Sequence, residues 1–468
     1  MGHFAKNRDD VVMKRMSTVL WLVAGLLACG PDRGVQVVVR APVEKTGEGE
    51  GEGEGEGEGE GEGEGEGEGE GEGEGEGDIG FARYDDGAHS PLTPSIVARL
   101  RTIRDEHPAL RDDVFAKIGD SNTVNTGFAT CLDGGSVALA DHAALDEVRA
   151  HFAAGDADGV SPYDRESSAA TVGWSAFMPL RGSPRPLDVE LDAIEPAFAV
   201  VMFGTNDIQL NTIHGYANDI LALTDALLSR GVIPLLSTIP PRGDNATADA
   251  QVPRYGLVVR MVAEARQVPF MDLSQRLRGL PDDGLISDGL HMNRDPRSAC
   301  QCDDDGLQFG FNQRNLLTLQ ALDRVTRAVV FRDNVPEVSA LSPVRGTGAA
   351  ADPFVVDTLP FTHSADTGRS SFRERDSYGC APTINESGPE LSYTVTLTAP
   401  QTLHALVFDQ GDVDVDVHVL RDNTCLARND KEATMALDAG SYTVVFDTFD
   451  GDSRAGAFQV LLYAEERR

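Results

Sequence analysis

The chain has 468 residues, with 40 Lys and Arg against 76 Asp and Glu, and a formal charge of −36. That balance excludes a nucleic-acid binder working through a basic surface. Much of the charge is local, because residues 47–77 alternate Gly and Glu strictly and their 15 Glu leave about −21 for the rest. The length fits two or three domains, and a hydrophobic content of 41% is enough to build real cores outside the tract.

Met13-Lys14-Arg15 precedes an apolar stretch from Val19 to Ala28. A short basic region, about ten apolar residues and small residues at a cut site describe a secretory signal. The stretch is too short to span a bilayer comfortably, and a multi-span membrane protein is excluded. Met13 reads as the working start. Cys29 directly follows Leu26-Leu27-Ala28, which resembles a bacterial lipobox. The resemblance implies cleavage before Cys29 and a diacylglyceryl group on its thiol, so residues 1–29 are expected to be a lipoprotein signal peptide. The alternative is a plain secreted protein in which Cys29 is incidental.

Residues 30–84 contain the Gly-Glu tract and read as a disordered linker. Gly retains backbone freedom and Glu repels Glu, so no core forms there. As a coil, the tract spans roughly 30 Å, and more under its own charge repulsion.

Residues 85–333 alternate strand and helix signals. Val114–Ile118 is a short apolar run, and Ala197–Phe203 is a continuous one, as in a strand buried on both faces. Tyr216–Arg230 is helical, with Ile220, Leu223 and Leu227 on one face and Gly231 as its stop. Val232–Ile239 reads as strand, Leu257–Ala265 as helix, Phe270–Leu273 as strand and Leu316–Val330 as a closing helix. This order predicts an α/β fold, a parallel sheet between two helix layers. From 336 to 468 the pattern changes. Ser392–Leu397, Leu403–Phe408, Val413–Leu420 and Tyr442–Phe446 read as strands between Gly- and Asp-rich turns, predicting an all-β sandwich.

Three motifs fall at ends of α/β strands, where ligands bind in open sheets. Gly119-Asp120-Ser121-Asn122 follows the first strand, Gly204-Thr205-Asn206-Asp207 follows the strongest one, and Ser287-Asp288-Gly289-Leu290-His291 lies on a late loop. Each alone is ordinary turn chemistry. Together they are ordered and evenly spaced, with Ser121, Asn206 and His291 each 85 residues apart. The combination resembles the SGNH (GDSL-like) hydrolases, a family of esterases and lipases. The resemblance implies a flavodoxin-like three-layer α/β/α fold and assigns Ser121 as nucleophile, Asn206 and Gly173 as oxyanion donors, and Asp288 and His291 as acid-base partners. Gly134 and Gly135 compete with Gly173 for the second block. Asn122 departs from the apolar residue, Ser or Ile more usual after the nucleophile.

The chemistry needs no cofactor. A Ser hydroxyl requires a neighbouring base. His291 takes that proton and returns it to the leaving alcohol, with Asp288 orienting its ring. Metal ligation by Asp288 and His291 with Asp303, Asp304 and Asp305 lacks a second His at ligand spacing, and Cys300-x-Cys302 alone is poor for zinc. His214 reads as a loop residue.

If Cys29 is lipidated, five Cys remain. Cys380 and Cys425 are expected to pair, and Cys131 to bridge to Cys300 or Cys302, tying the Ser loop to the His loop. The C-terminal region resembles pre-peptidase C-terminal-type sandwiches, accessory modules of secreted bacterial hydrolases. Asp412, Asp414 and Asp416 there are expected to share a strand face, solvated or binding Ca²⁺. The reading is an exported serine esterase held in the bacterial envelope, at the outer membrane or cell surface, by its N-terminal lipid alone. Its partner is an ester of lipid, acetylated polysaccharide or small alcohol. The competing reading is a catalytically inactive surface lipoprotein acting in binding or adhesion.

Overall fold

Pro196–Met202 is buried at every position, as its unbroken apolar run requires of a strand with both faces covered. The computed structural model describes residues 82–334 and 340–467. The leader, Cys29 and the Gly-Glu tract lie outside the described residues.

In chain order the α/β part comprises α1 (Pro94–Glu106), β1 (Arg111–Gly119), α2 (Ser121–Val124), α3 (Asp146–Ala153), α4 (Pro186–Ile194), β2 (Pro196–Met202), α5 (Asp207–Leu210) and α6 (Ile213–Ser229). It continues through β3 (Ile233–Ser237), α7 (Ala246–Asp249), α8 (Val252–Arg266), β4 (Phe270–Met271), α9 (Leu273–Leu277) and α10 (Gly310–Val329). The four strands form one parallel sheet in the order β1-β2-β3-β4. Outside β1, Ala170 makes a single parallel bridge to Gly119. Counting that remnant as a strand yields the doubly wound order 2-1-3-4-5, whose ligand crevice opens where the order reverses. The reversal falls between β1 and β2, the strands that lead into Ser121 and Asn206.

Helices α1, α3 and α10 pack together against the sheet, as do α6 and α8. The strand expected at Phe270–Leu273 is cut to two residues. Asp272 caps α9 instead, its carboxylate accepting the Gln275 N–H at 3.0 Å. The linker boundary at 84 also shifts, since Ala82, Arg83 and Tyr84 are buried. Glu264 accepts the Tyr84 N–H at 2.7 Å.

The all-β part holds two sheets. One orders β10 (Thr424–Asn429), β9 (Val415–Arg421), β12 (Gly440–Thr448), β7 (Glu390–Leu397) and β5 (Phe354–Val356). The other orders β11 (Glu432–Leu437), β8 (Gln401–Asp409), β13 (Ala457–Glu466) and β6 (Phe361–Asp366). In β8, Leu403, Ala405 and Val407 face the sandwich core, while Leu406 and Phe408 join the α/β core. β13 repeats the pattern, with Val460 and Leu462 inward and Leu461 and Tyr463 outward. Period-two alternation therefore serves two cores from one sheet. Helix α8, covered by β3 and β4 on one side and by β6 and β13 on the other, is buried nearly all round.

Candidate active site

Ser121 is the first residue of α2, and Asp120 caps that helix by accepting the Asn122 N–H at 3.0 Å. The turn needs glycine before it. A Cβ at Gly119 would sit 2.2 Å from Thr123 Oγ1 and 2.7 Å from the Met202 carbonyl oxygen. On the far loop, Gly289 has φ +68° and a Cβ there would meet the Asp244 nitrogen at 2.4 Å. This tight turn folds Asp288 back on His291. Asp288 Oδ1 accepts the N–H groups of Leu290 and His291 at 2.9 and 3.0 Å. Its Oδ2 lies 2.7 Å from His291 Nδ1, and His291 Nε2 lies 2.9 Å from Ser121 Oγ.

Partial burial pushes the Asp288 carboxyl up, but the hydrogen bonds from the His291 N–H, the His291 ring and the Leu290 N–H outweigh it and hold the group below its usual range. The ionised carboxylate favours a proton on Nδ1 of the neutral ring, which leaves Nε2 as the acceptor toward Ser121. The side chains of His291 and Asp288 are 28% and 43% exposed, so the group is open to a ligand.

Asn206 follows β2 and donates from Nδ2 to the Trp174 carbonyl at 2.9 Å. An amide nitrogen has two N–H groups, so one remains for a ligand. The bond joins the Asn206 loop to the Gly173 loop, which is also fixed by Thr171 N–H donating to the Gly119 carbonyl at 3.1 Å. Gly173 is exposed at φ +79°, a conformation that favours glycine. Asp207 accepts the Ala176 N–H at 3.0 Å. Burial pushes Asp207 up to about 7 despite that bond. Of the competing glycines, Gly134 lines a groove with Cys131, Arg294 and Arg297.

Two supporting arginines carried no signal in the sequence motifs. Arg242, 2% exposed, donates from Nε and Nη2 to Asp244 at 2.7 and 2.9 Å and from Nη1 to the Thr205 carbonyl. Asp244 N–H in turn donates to the Gly289 carbonyl at 3.1 Å, so this guanidinium couples the Asn206 loop to the Asp288 turn. Arg314, also buried, donates to the Asn122 carbonyl at 2.7 Å and Thr123 Oγ1 at 2.9 Å and lies 3.6 Å from the Phe128 ring centre. Burial pushes its guanidinium down to about 9. Asn122, the noted departure, is fully buried between the Ser and His segments.

Cys131 bridges Cys300, and Cys380 bridges Cys425. Cys302 is a buried thiol, pushed up to about 11 by burial and by Asp303, and is therefore a poor nucleophile. His214 is not on a loop. It lies in the first turn of α6 and faces the sandwich, with Nε2 3.2 Å from the Lys431 carbonyl and its ring 5.0 Å from Phe408. The acidic trio also differs from expectation. Only Asp416 lies in a strand, and it is buried against Arg428, while Asp414 pairs with Arg454 at 2.5 Å. Asp414, Asp416 and Asp430 converge, as do Cys380, His418 and Cys425. In the first group the arginines engage two carboxylates, and in the second both sulfurs form the disulfide.

Residues 118–295 match the model of the GDSL-like lipase/acylhydrolase family. Over this stretch the chain is similar to the GDSL-like hydrolases. The match holds all five residues discussed, Ser121, Gly173, Asn206, Asp288 and His291. No curated protein sequence matches. Among solved structures, the chain is similar to a GDSL-like lipase from Bacteroides thetaiotaomicron at 14% identity, covering 48% of this chain and 98% of that one, with a TM-score of 0.29. It is similar to a catalytic mutant of an acetylxylan esterase from Geobacillus stearothermophilus at 17% identity, covering 44% and 93%, with a TM-score of 0.30. A two-domain esterase active on acetylated mannans matches at 13% identity, covering 79% and 95%, with a TM-score of 0.31.

Proposed function

We propose that the GDSL-like domain is a serine esterase in which Ser121 is the nucleophile, His291 the base and Asp288 its orienting carboxylate. The observation that carries this is the continuous hydrogen-bonded chain from Asp288 Oδ2 through the His291 ring to Ser121 Oγ. Attack by Ser121 Oγ on an ester carbonyl passes its proton to His291 Nε2, which then gives it to the leaving alcohol. Water hydrolyses the acyl-enzyme by the same route. The oxyanion would be held by the free Asn206 N–H and the backbone N–H groups of Ser121 and Gly173. A fluorophosphonate probe tests the reading. It should label the wild-type protein at Ser121 and fail to label Ser121→Ala. Absence of labelling in the wild type would favour the inactive binding lipoprotein.

Export and lipid anchoring at Cys29 are part of the same proposal. They rest on the leader sequence, and the two disulfides fit an oxidising compartment. Metabolic labelling with a clickable fatty acid should mark the wild-type chain and not Cys29→Ala. For the substrate, the exposed catalytic groups suit an ester presented on a larger, soluble alcohol, and an ester series from acetyl to long acyl chains, with an acetylated polysaccharide, tests this.

A further inference from the structure

Asn206 and Asp207 are chain neighbours, and both reach the loop that carries Gly173. Asn206 donates to the Trp174 carbonyl at 2.9 Å, and Asp207, the first residue of α5, accepts the Ala176 N–H at 3.0 Å through Oδ1. Two adjacent side chains therefore grip one loop at points two residues apart. Ala176 is wholly buried, so its N–H has no recourse to water if that acceptor is lost.

Asp207 is wholly buried too, and its Oδ2 has no hydrogen-bond partner among the described residues. Its titratable neighbours do not compensate a charge there. Asp219 on α6 and Asp120 at the cap of α2 both oppose one. Tyr216 on α6 and Tyr255 on α8 also face it, but their hydroxyls donate to the Phe203 and Asn211 carbonyls at 2.9 and 3.1 Å. Asp219 in turn accepts from Asn211 Nδ2 at 2.8 Å and feels the guanidinium of Arg181. Burial, reinforced by Asp219 and Asp120, pushes the Asp207 carboxyl up to about 7 against the pull of the Ala176 N–H. A proton on Oδ2 removes the buried charge and leaves Oδ1 as the acceptor that holds Ala176.

That proton matters for the chemistry on the other side of the loop. The tetrahedral intermediate would carry its negative charge at Asn206 and Gly173. An ionised carboxyl on the residue next to Asn206 would stand behind that charge and oppose it, whereas a neutral one does not. We propose that Asp207 is a positioning residue acting as a neutral acid, fixing the Gly173 loop through Ala176 while keeping negative charge away from the oxyanion. The inference rests on the serine-esterase reading and on its assignment of Asn206 and Gly173 as oxyanion donors.

The test is the pH profile of kcat on p-nitrophenyl acetate, corrected for spontaneous hydrolysis. In the wild type, kcat should fall roughly tenfold between pH 7 and 9 as Asp207 ionises. Asp219→Asn removes a charge that resists this ionisation, so the same fall should begin at lower pH. Asp207→Leu lacks the acceptor and should lower kcat at pH 6 roughly tenfold with KM nearly unchanged. Asp207→Asn keeps an oxygen for Ala176 but cannot ionise, so it should recover most of that loss and stay level from pH 7 to 9. A merely structural Asp207 would change Tm in these variants and leave the profile alone. A flat wild-type profile, or a fall that is the same in wild type, Asp219→Asn and Asp207→Asn, would overturn the proposal. Failure of the underlying esterase reading would look different, as p-nitrophenyl acetate hydrolysis indifferent to Ser121→Ala.

Discussion

Asn122 brackets His291 from beneath α2. Its Oδ1 accepts from the Met292 N–H and its Nδ2 donates to the Leu290 carbonyl, each at 3.4 Å, so one buried amide holds the peptides on both sides of the histidine. The same residue follows Ser121 directly, which makes it a mechanical link between Ser121 and His291. Asn122→Leu fills the space but leaves both peptide groups unpaired. Steady-state kinetics should show kcat reduced by roughly tenfold with KM nearly unchanged, together with a lower Tm. An unchanged kcat would remove Asn122 from the positioning scheme.

Asn206 has two uses for one side chain, the bond to Trp174 and the N–H left over. Asn206→Ala should therefore fold, yet lose about 10²–10³ in kcat on p-nitrophenyl acetate. Ser121→Ala should abolish hydrolysis. Circular dichroism alongside the kinetics separates a lost donor from a lost fold.

The Cys131–Cys300 bridge closes 169 residues of sequence and joins the loop after Ser121 to the loop after His291. Replacing both cysteines by serine should cost about 2–5 kcal/mol in urea-induced unfolding. An unfolding free energy equal to wild type would show that the packing around Asn315, which donates to Cys131 Sγ, Gly127 and Ala299, suffices by itself.

Glu264 sits wholly buried on α8 where the two parts meet, accepting from the Tyr84 N–H and the Thr362 hydroxyl. Burial pushes its carboxyl up to about 7, against the pull of those donors and of Arg260 and Arg83. A carboxyl raised above its unfolded value favours the fold while protonated. Its contribution is full below about pH 4.5 and disappears as pH rises through about 7. Unfolding free energy measured by urea should thus fall between pH 5 and 8, and Glu264→Gln should flatten that slope by roughly 1–3 kcal/mol. A slope unchanged in the variant would assign the effect to Asp207 or Asp416, whose carboxyls burial likewise pushes up to about 7.

The elements legible in the sequence are those with a single, strong period. Ala197–Phe203 overlaps β2 almost residue for residue, and Leu403–Phe408 lies within β8, because burial on defined faces writes itself into the apolar pattern. The three motif blocks are legible for a related reason: each is a local turn built on a glycine, required by close contacts at Gly119 and Gly289 and by a φ of +131° at Gly204. The remainder depends on partners far apart in the chain. Arg242 and Arg314 are ordinary arginines until Thr205, Asp244 and the Asn122 carbonyl are brought around them. His214 looked like a loop residue because nothing near it announces that Phe408 and Lys431 will cover it. The acidic trio misled similarly, since its neutralising arginines lie 12 and 40 residues away.

Leu406, Phe408, Leu461 and Tyr463 of the all-β part belong to the same packed cluster as the α/β interior. An interchangeable cassette keeps its own core to itself, and this region does not. A fragment trimmed before residue 340 would emerge from the ribosome with α6 and α8 wearing a wet, greasy flank, and would be prone to clumping. In gene shuffling, the two regions can be inherited profitably only as a pair.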